Sequence, residues 1–377
     1  MKSNILSPTN VPHGDAGSPY RMLTGVGGIG SGMFFALEGN HTLGRNESRP
    51  GRLLDVRDYC KLHIISHYVA VLLRADPSGE PFLVLPIGRV GNDAIGLRLL
   101  DEMRDAGMDT RYVKTTDRSP TLFSVCFQYP DGSGGNITTS ASAASALTTE
   151  DVDLALDEAA SMSRRFIALA APEVPLDIRH HFLKRAAGHG AFCAAAFTTT
   201  EMPHALESGV IEFLDLLAMN EEEARALIGV GLDLRDPLPF LKECERVLSG
   251  YGDDFRIVVT AGESGAMAIH RHSWDFCPAP EVPVASTAGA GDALLAGILA
   301  GLALGLPFIA PGPPRRLITD RPLSSAFDFG VLLAAFTVTS PHTIHPDAGI
   351  GSLRAFADQF GIALDADLQQ ALRVQSK

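Results

Sequence analysis

Residues 286–292 read STAGAGD, and the apolar run ALLAGILAGLAL follows at residues 293–304. Gly289 and Gly291 allow a tight turn, because glycine adopts backbone dihedrals that other residues avoid. The apolar run predicts a buried helix that begins directly after this turn. The first turn of a helix has unpaired N–H groups that point one way and favour an anion. The pattern therefore predicts an anion hole formed by Gly289, Ala290 and Gly291.

Asp292 lies at the mouth of the predicted anion hole. A carboxylate is poorly suited to binding phosphate, but it can take a proton from a hydroxyl group that attacks a phosphate. We therefore predict that Asp292 is the catalytic base of a phosphoryl transfer. The simpler interpretation, an aspartate that caps a buried helix after a glycine turn, stays open on this stretch alone.

A family resemblance favours the catalytic interpretation. Residues 286–292 resemble the second signature of the ribokinase-like (PfkB-type) sugar kinases, Asp-Thr-x-Gly-Ala-Gly-Asp, and differ from it at Ser286, where the family has aspartate. The resemblance implies an ATP-dependent kinase of a sugar or nucleoside-like alcohol, with ATP and Mg²⁺ as cofactors. It also implies a ribokinase-like three-layer α/β/α fold with a mostly parallel central sheet and a small β lid. It extends over roughly residues 21–360.

The composition narrows the class of protein. With 377 residues, 46% of them hydrophobic and 20% charged, the chain can bury a sizeable core. The formal net charge of −13 repels phosphate backbones, so we predict a small-molecule substrate and no nucleic-acid partner. The five cysteines include no Cys-x-x-Cys pair, which favours a cytoplasmic location over a disulfide framework.

The chain is predicted to form one folded domain. Residues 1–20 lack the pattern of a signal peptide and predict a flexible tail, followed by a ribokinase-like kinase domain at residues 21–377. The uncharged stretch 293–310 is the one candidate membrane span, but its glycines and proline favour a buried helix, so we predict no membrane partner. The lid is predicted from residues 34–58 and 120–140. Lid strands often pair between subunits in the resembling family, so a homodimer is a further expectation.

Short apolar segments alternate with helical stretches along the chain, which predicts a parallel sheet with helices on both faces. The predicted strands lie at residues 21–24, 82–86, 165–171, 191–197, 213–218 and 256–260, and another strand is predicted to end at 282–285. A turn is predicted at residues 88–93, before an amphipathic helix at 94–106 that is capped by Asp93.

A second glycine-rich segment suggests a different function. Residues 25–30, GVGGIG, match the dinucleotide fingerprint Gly-x-Gly-x-x-Gly. That fingerprint needs a long helix directly after the glycines, whereas the helix-permissive stretch here is only residues 31–38, before Gly39. A dinucleotide oxidoreductase therefore stays open as the weakest alternative.

Two further segments bear on nucleotide binding. Asn220 is a natural N-cap, and the glutamates that follow suit the first turn of a helix. Asn220 and Glu223 also match an Asn-x-x-Glu pair of the resembling family. This match implies that Asn220 lies at the nucleotide and that Glu223 holds Mg²⁺ through water. Thr260, Gly262 and Gly265 match the family's Thr-x-Gly-x-x-Gly turn, which implies that they contact the nucleotide.

The part of the chain that would hold the acceptor departs from the family. Where the family has a Gly-Gly-x-x-x-Asn helix start, residues 59–66 read YCKLHIIS, and residues 30–32 read GSG in place of an early aspartate that binds sugar hydroxyls. Asn136 does match the family's Gly-x-Asn in the lid hairpin. We predict Asn136, Lys61 and His63 as substrate-binding residues. A ribokinase-fold protein that binds a ligand or partner without turnover stays open as a second alternative.

Overall fold

A computed structural model describes residues 20–374, apart from residues 132, 163–164, 249, 252–253, 271–272, 311, 314 and 316. The predicted flexible tail at residues 1–20 lies outside the described residues, except for Tyr20. The division of the chain at residue 21 therefore stays a prediction.

A central sheet of nine strands forms the middle layer of the fold. Its strands are β1 (Met22–Val26), β4 (Leu83–Gly91), β5 (Val113–Thr116), β8 (Ile167–Ala170), β9 (Phe192–Ala196), β10 (Leu216–Asn220), β11 (Arg256–Thr260), β12 (Ala266–His270) and β13 (Ser273–Cys277). Their order is β13-β12-β11-β10-β9-β8-β1-β4-β5. Only the β11–β12 and β12–β13 pairs are antiparallel, so the prediction of a mostly parallel sheet is confirmed.

Helices cover both faces of the central sheet. One face is covered by α1 (Lys61–Leu73), α2 (Ala94–Asp105), α8 (Ala290–Ala303), α9 (Ala326–Thr337), α10 (Ile350–Gln359) and α11 (Ala366–Val374). The other face is covered by α3 (Thr149–Met162), α4 (Leu176–Gly188), α5 (Met202–Glu207), α6 (Glu221–Ile228) and α7 (Leu238–Leu248). Successive side chains of a strand point to opposite faces. Leu216 of β10 therefore joins one hydrophobic core and Leu217 the other, which confirms the three-layer architecture.

A second, four-stranded sheet stands apart from the central one. We call it the lid sheet, and its strands are β2 (Gly30–Leu37), β3 (Gly51–Tyr59), β6 (Leu122–Gln128) and β7 (Gly134–Thr138), in the order β3-β2-β6-β7. Both predicted lid segments contribute to it. Strand β2 begins at Gly30 rather than at residue 34, because it continues almost directly from β1.

Strand β2 follows the glycines at residues 25–30, so the long helix that a dinucleotide fingerprint requires is not there. Two local predictions are wrong. Residues 88–91 are not a turn, because β4 continues to Gly91 by pairing with β5. Residues 282–285 form no strand. Instead, the N–H of Ala285 bonds the carbonyl of Val338 at 2.8 Å, as the chain leaves β13 and crosses to the end of α9.

The predicted helix after the glycine turn is confirmed, and it is short. Helix α8 has 14 residues and ends at Ala303. A membrane-spanning helix needs about 20 apolar residues. No helix within the described parts of the chain is long and apolar enough to cross a membrane.

Candidate active site

Several predicted site residues come together at one edge of the central sheet. The carboxyl ends of parallel strands meet at the same edge, where open α/β sheets bind ligands. Asn220 ends β10 and lies opposite Thr260, which ends the neighbouring strand β11. Gly262 and Gly265 belong to the turn that joins β11 to β12. The four residues predicted to contact the nucleotide therefore lie on two adjacent strand ends.

The turn before α8 requires glycine for two reasons. Gly289 is the N-cap of α8 and has a φ of +81°, in the left-handed region. In addition, a Cβ atom on Gly289 would stand only 2.5 Å from the carbonyl oxygen of Thr343. A Cβ on Gly291, in contrast, would meet no atom within 4 Å, so the turn faces open space on that side.

The backbone donors of this turn are only partly used by the protein. The N–H of Ala290 makes a long bond of 3.3 Å to the carbonyl of Thr287. The N–H groups of Gly291 and Asp292 have no protein acceptor among the residues that the structure describes. The N–H of Gly289 also has no protein acceptor among the described residues, so Ala290 is the one residue of the predicted hole whose N–H the protein already uses, and the hole stays a prediction.

Asp292 is half-buried in the first turn of α8. Burial raises the pKa of its carboxyl above the usual range, and the ammonium group of Lys61 opposes this shift. Burial by itself would lower the pKa of Lys61. The carboxylates of Asp292, Glu223, Glu173 and Glu201 outweigh burial, however, and raise the pKa. Lys61 is thus a cation held among carboxylates, in a position that affects Asp292 directly.

Glu223 and Asn220 form a capping box. The carboxylate Oε2 of Glu223 accepts a bond of 2.8 Å from the N–H of Asn220, and Oδ1 of Asn220 accepts one of 2.8 Å from the N–H of Glu223. The structure therefore bears out the simpler interpretation of Asn220 as an N-cap. Oε1 of Glu223 has no hydrogen-bond donor among the described residues, so the cap leaves one carboxylate oxygen available.

The described residues contain no group of three or more histidine, cysteine or acidic side chains that could hold a metal ion. Mg²⁺ keeps several of its water ligands and needs only one or two protein carboxylates beside substrate phosphates. A contact through water at the available oxygen of Glu223 is compatible with this chemistry, and it stays a prediction.

The other two predicted acceptor residues, His63 and Asn136, lie on α1 and β7. His63 is fully buried, and its ring centroid is 4.6 Å from that of Tyr59. Neither of its ring nitrogens has a hydrogen-bond partner within the described parts of the chain. Burial lowers the pKa of His63 well below its usual range, so the ring is neutral. Asn136 is exposed on β7, where its amide donates to Thr138 at 3.3 Å. No hydrogen bond or ion pair among the described residues joins either side chain to Asp292, and their contact with an acceptor stays a prediction.

Sequence reasoning missed two carboxylates near Asp292. Glu173 follows β8 with a left-handed backbone, and burial raises the pKa of its carboxyl to about 7. Asp58 near the end of β3 also has a raised pKa, and the charge of Asp292 contributes to both shifts. Glu173 follows a predicted strand, so it could have been found by asking which side chains follow strand ends. Asp58 carries no comparable signal, because a lid strand supplies it.

Comparisons with known proteins show the family of this chain. The pfkB family carbohydrate kinase profile matches residues 83–348, which is more than half of the chain. The deoxyribokinase of Salmonella typhi is 26% identical over 264 residues, which cover 69% of this chain and 77% of that protein.

Solved ribokinases resemble the whole fold. The structure of ribokinase from Giardia lamblia has a TM-score of 0.70 at 15% identity and covers 90% of this chain and 100% of its own. Ribokinase from Cryptococcus neoformans var. grubii serotype A in complex with ADP has a TM-score of 0.67 at 18% identity, with 89% and 99% covered. Aminoimidazole riboside kinase from Salmonella enterica, complexed with aminoimidazole riboside and an ATP analog, has a TM-score of 0.60 at 15% identity, with 89% and 99% covered.

These structural identities are low, so they establish the fold class alone, which is ribokinase-like as predicted. The family match goes further, because it spans the strand ends of β8 to β11 together with the glycine turn and Asp292. A kinase of this family implies ATP as a substrate. The chain belongs to the pfkB family of carbohydrate kinases.

Proposed function

We propose that this protein transfers the γ-phosphate of ATP to a hydroxyl group of a sugar or nucleoside-like alcohol, with Asp292 as the general base. One observation carries the proposal. A half-buried carboxylate with a raised pKa lies in the same helical turn as backbone N–H groups that have no protein acceptor among the described residues. A base and an anion site are thus placed together, as transfer of a phosphoryl group to a hydroxyl requires.

The proposed reaction is an in-line displacement. The acceptor oxygen attacks the γ-phosphorus, the bond from that phosphorus to the β–γ bridging oxygen breaks, and the acceptor proton passes to the Asp292 carboxylate. The N–H groups of Gly291 and Asp292, with Gly289 and Ala290 shaping the turn, donate to the phosphoryl oxygens. The raised pKa of Asp292 makes its carboxylate a stronger base than an exposed aspartate.

The nucleotide and its metal ion have candidate contacts at the neighbouring strand ends. Asn220, Thr260, Gly262 and Gly265 would lie against ATP. Glu223 would hold Mg²⁺ through water by its available oxygen, and the bound ion would compensate the phosphate charge. The ADP in the fungal ribokinase structure supports a nucleotide site in this fold.

The names of the relatives support the acceptor class. One relative is a deoxyribokinase and another is a riboside kinase in complex with its riboside, so a pentose or a nucleoside is the natural first acceptor to test.

We also expect a homodimer through the lid sheet. It exposes two large apolar side chains, Leu53 at 57% and Ile137 at 69%. Sedimentation analysis would check the dimer, and a cytoplasmic location remains our expectation.

The decisive experiment compares wild type with Asp292→Asn, measured as ADP release from Mg·ATP with D-ribose, 2-deoxy-D-ribose and adenosine as acceptors. The substitution keeps the shape of the side chain and removes the base, so kcat is expected to fall about 10²–10⁴-fold. Asp367→Asn is a matched control, because it changes an exposed aspartate in the first turn of α11. Unchanged turnover in Asp292→Asn would contradict the assignment of the base.

A further inference from the structure

A carboxylate from the lid sheet fills a space that a glycine leaves open. Asp58 of β3 and Gly32 of β2 are direct partners across the two antiparallel strands. A Cβ atom on Gly32 would stand 2.3 Å from Oδ2 of Asp58 and 3.2 Å from its Cγ. The Asp58 carboxylate therefore lies directly over the backbone of Gly32, where any side chain at position 32 would displace it.

The end of β3 is tied to the glycine turn through one residue, Thr343. The N–H of Tyr59 donates to Oγ1 of Thr343 at 3.2 Å, and the N–H of Thr343 donates to the carbonyl of Arg57 at 3.1 Å. The carbonyl oxygen of Thr343 also packs against Gly289, because a Cβ atom built on Gly289 would stand only 2.5 Å from it. Asp58 lies between Arg57 and Tyr59, so its backbone is held in a fixed relation to the start of α8.

The charge of Asp58 is not balanced by a direct partner. Among the described residues Asp58 makes no ion pair, and burial raises the pKa of its carboxyl to about 6. A bond from the N–H of Tyr59 opposes this shift, and the charge of Asp292 adds to it. Glu173 is affected by both Asp58 and Asp292. The carboxylates of Asp58, Glu173 and Asp292 are thus close enough to one another for their charges to interact. Lys61 is the cation that lies near Asp292 and Glu173.

The three carboxylates favour a ligand of a particular chemical class. Ionised carboxylates accept hydrogen bonds and donate none, so they are matched by a molecule with several hydroxyl donors. A further negative charge would be repelled by the carboxylates, because like charges at short range raise the free energy of the ionised forms. An acceptor that already carries a phosphate group is disfavoured on this ground.

Building on the proposed kinase function, we propose that Asp58 binds the acceptor, as the lid carboxylate that accepts hydrogen bonds from the hydroxyl groups of an uncharged polyol. Asp58 is a binding residue in this scheme and takes no proton in the reaction. Its position over Gly32 makes the lid sheet part of the acceptor site, so the acceptor specificity of this chain depends on a side chain from β3.

The test measures binding and turnover separately. Calorimetry gives the affinity of wild type and Asp58→Asn for D-ribose, 2-deoxy-D-ribose, adenosine and ribose 5-phosphate, and ADP release gives kcat and KM with the same compounds. We expect wild type to bind at least one uncharged acceptor in preference to ribose 5-phosphate. Asp58→Asn should weaken that binding about tenfold to a hundredfold, the range for a hydrogen bond to a charged group. The KM for ATP should stay the same.

Two further variants separate a binding role from a structural one. Gly32→Ala keeps the Asp58 carboxylate and displaces it, so it should raise the acceptor KM in the same direction as Asp58→Asn. Asp55→Asn is the matched control, because it removes an exposed carboxylate from the same strand and should leave every constant unchanged. The thermal midpoint of Asp58→Asn should equal or exceed that of wild type, since the folded protein pays for ionising Asp58.

Three results would overturn the proposal: equal affinity of wild type and Asp58→Asn, preference for ribose 5-phosphate, or binding of none of the uncharged acceptors. Failure of the kinase assignment has a different signature. If an uncharged acceptor binds in a manner that depends on Asp58 while no ATP is consumed, then the acceptor site stands and the phosphotransferase proposal fails.

Discussion

The two sides of this active site are built in different ways. The proposed phosphate side is one contiguous turn, residues 286–292, and its proposed function depends on backbone N–H groups. The proposed acceptor side gathers side chains from separate elements, with Lys61 from α1, Asp58 from β3 and Glu173 from the loop after β8.

This difference explains why one side is readable in the sequence and the other is not. A backbone anion site constrains residue type at each position, because the left-handed conformation of Gly289 and its contact with Thr343 both require glycine. An acceptor site built from side chains requires only that the carboxylates and the ammonium group reach the right positions. It does not require a given residue type at a given place in the sequence. The same charge can then be supplied by a different strand, as with Asp58 over Gly32.

Among the substitutions that test this comparison, the largest effect is expected at Gly289 on the phosphate side. In Gly289→Ala the new Cβ would clash with the Thr343 carbonyl at 2.5 Å, and the positive φ is unfavourable for alanine. The turn must shift, and its N–H groups lose their alignment with the phosphoryl oxygens. We expect kcat to fall about 10²–10³-fold, the range for loss of an oxyanion-type donor, with acceptor binding retained.

Gly351→Ala is the control for this substitution. It adds the same methyl group in the first turn of α10, where a Cβ would meet no atom within 4 Å. Steady-state kinetics of both variants decide the matter. A Gly289→Ala enzyme with the kcat of wild type would show that the proposed anion hole is elsewhere.

Much of the local structure on the proposed phosphate side could be predicted from the sequence, and the reason is physical. The capping pattern at Asn220 and the glycines before α8 act locally, over a few residues, so a short segment contains the whole signal. The bond from the N–H of Ala290 to the carbonyl of Thr287 could not be predicted, because only the folded turn brings these two groups together. His63 shows the opposite case, because its position beside Lys61 does not indicate that its ring is buried against Tyr59.

A second experiment tests the link between the two sides, Lys61. Its ammonium group lowers the pKa of Asp292 against the effect of burial. A general base works only when ionised, so activity is lost as the pH falls through its pKa. In Lys61→Met the opposing charge is removed and the pKa of Asp292 rises further. The acid limb of the kcat profile should move to higher pH by about one unit or more.

Lys184→Met provides the comparison, since Lys184 is exposed on α4 and belongs to the opposite face of the sheet. Its pH profile should match that of wild type. In Lys61→Met, the acid limb could instead stay in place or move to lower pH. Either result would show that Lys61 does not set the pKa of the base and that the two sides are electrostatically independent.

The fold was more predictable than the acceptor side, because buried strands and helices leave apolar patterns. Segments such as 165–171 and 191–197 became β8 and β9 within a few residues. The wrong predictions of secondary structure lie where hydrogen bonds to a distant segment determine the backbone conformation. Residues 88–91 continue as strand because β5 lies beside them, and residues 282–285 leave the sheet because their backbone bonds the end of α9. A local sequence pattern contains no information about either hydrogen-bonding partner, β5 or the end of α9.

A smaller effect is expected from pH on acceptor binding. Asp58 is faced by Asp292 of α8, Glu173 after β8, Cys60 before α1 and Cys126 of β6, and its pKa is raised to about 6. Below that pH the carboxyl gains a proton and loses its charge-assisted hydrogen bonds. The advantage of wild type over Asp58→Asn in acceptor KM should therefore shrink as the pH falls from 7 to 5. Acceptor KM values measured for both enzymes at several pH values would show it, and a constant ratio would contradict the role of Asp58.

The smallest expected effect separates the two interpretations of Asn220. As an N-cap alone, Asn220→Ala should cost about 1 kcal/mol in the free energy of unfolding, measured by urea titration. Asn220→Asp keeps an oxygen that can cap α6 and suits the positive end of the helix, so its stability should match wild type. The new negative charge would nevertheless repel ATP phosphates at this strand end and raise the KM for ATP. If Asn220→Asp leaves that KM unchanged, then the capping box has a structural role only, and the nucleotide contact must come from the Thr260 turn alone.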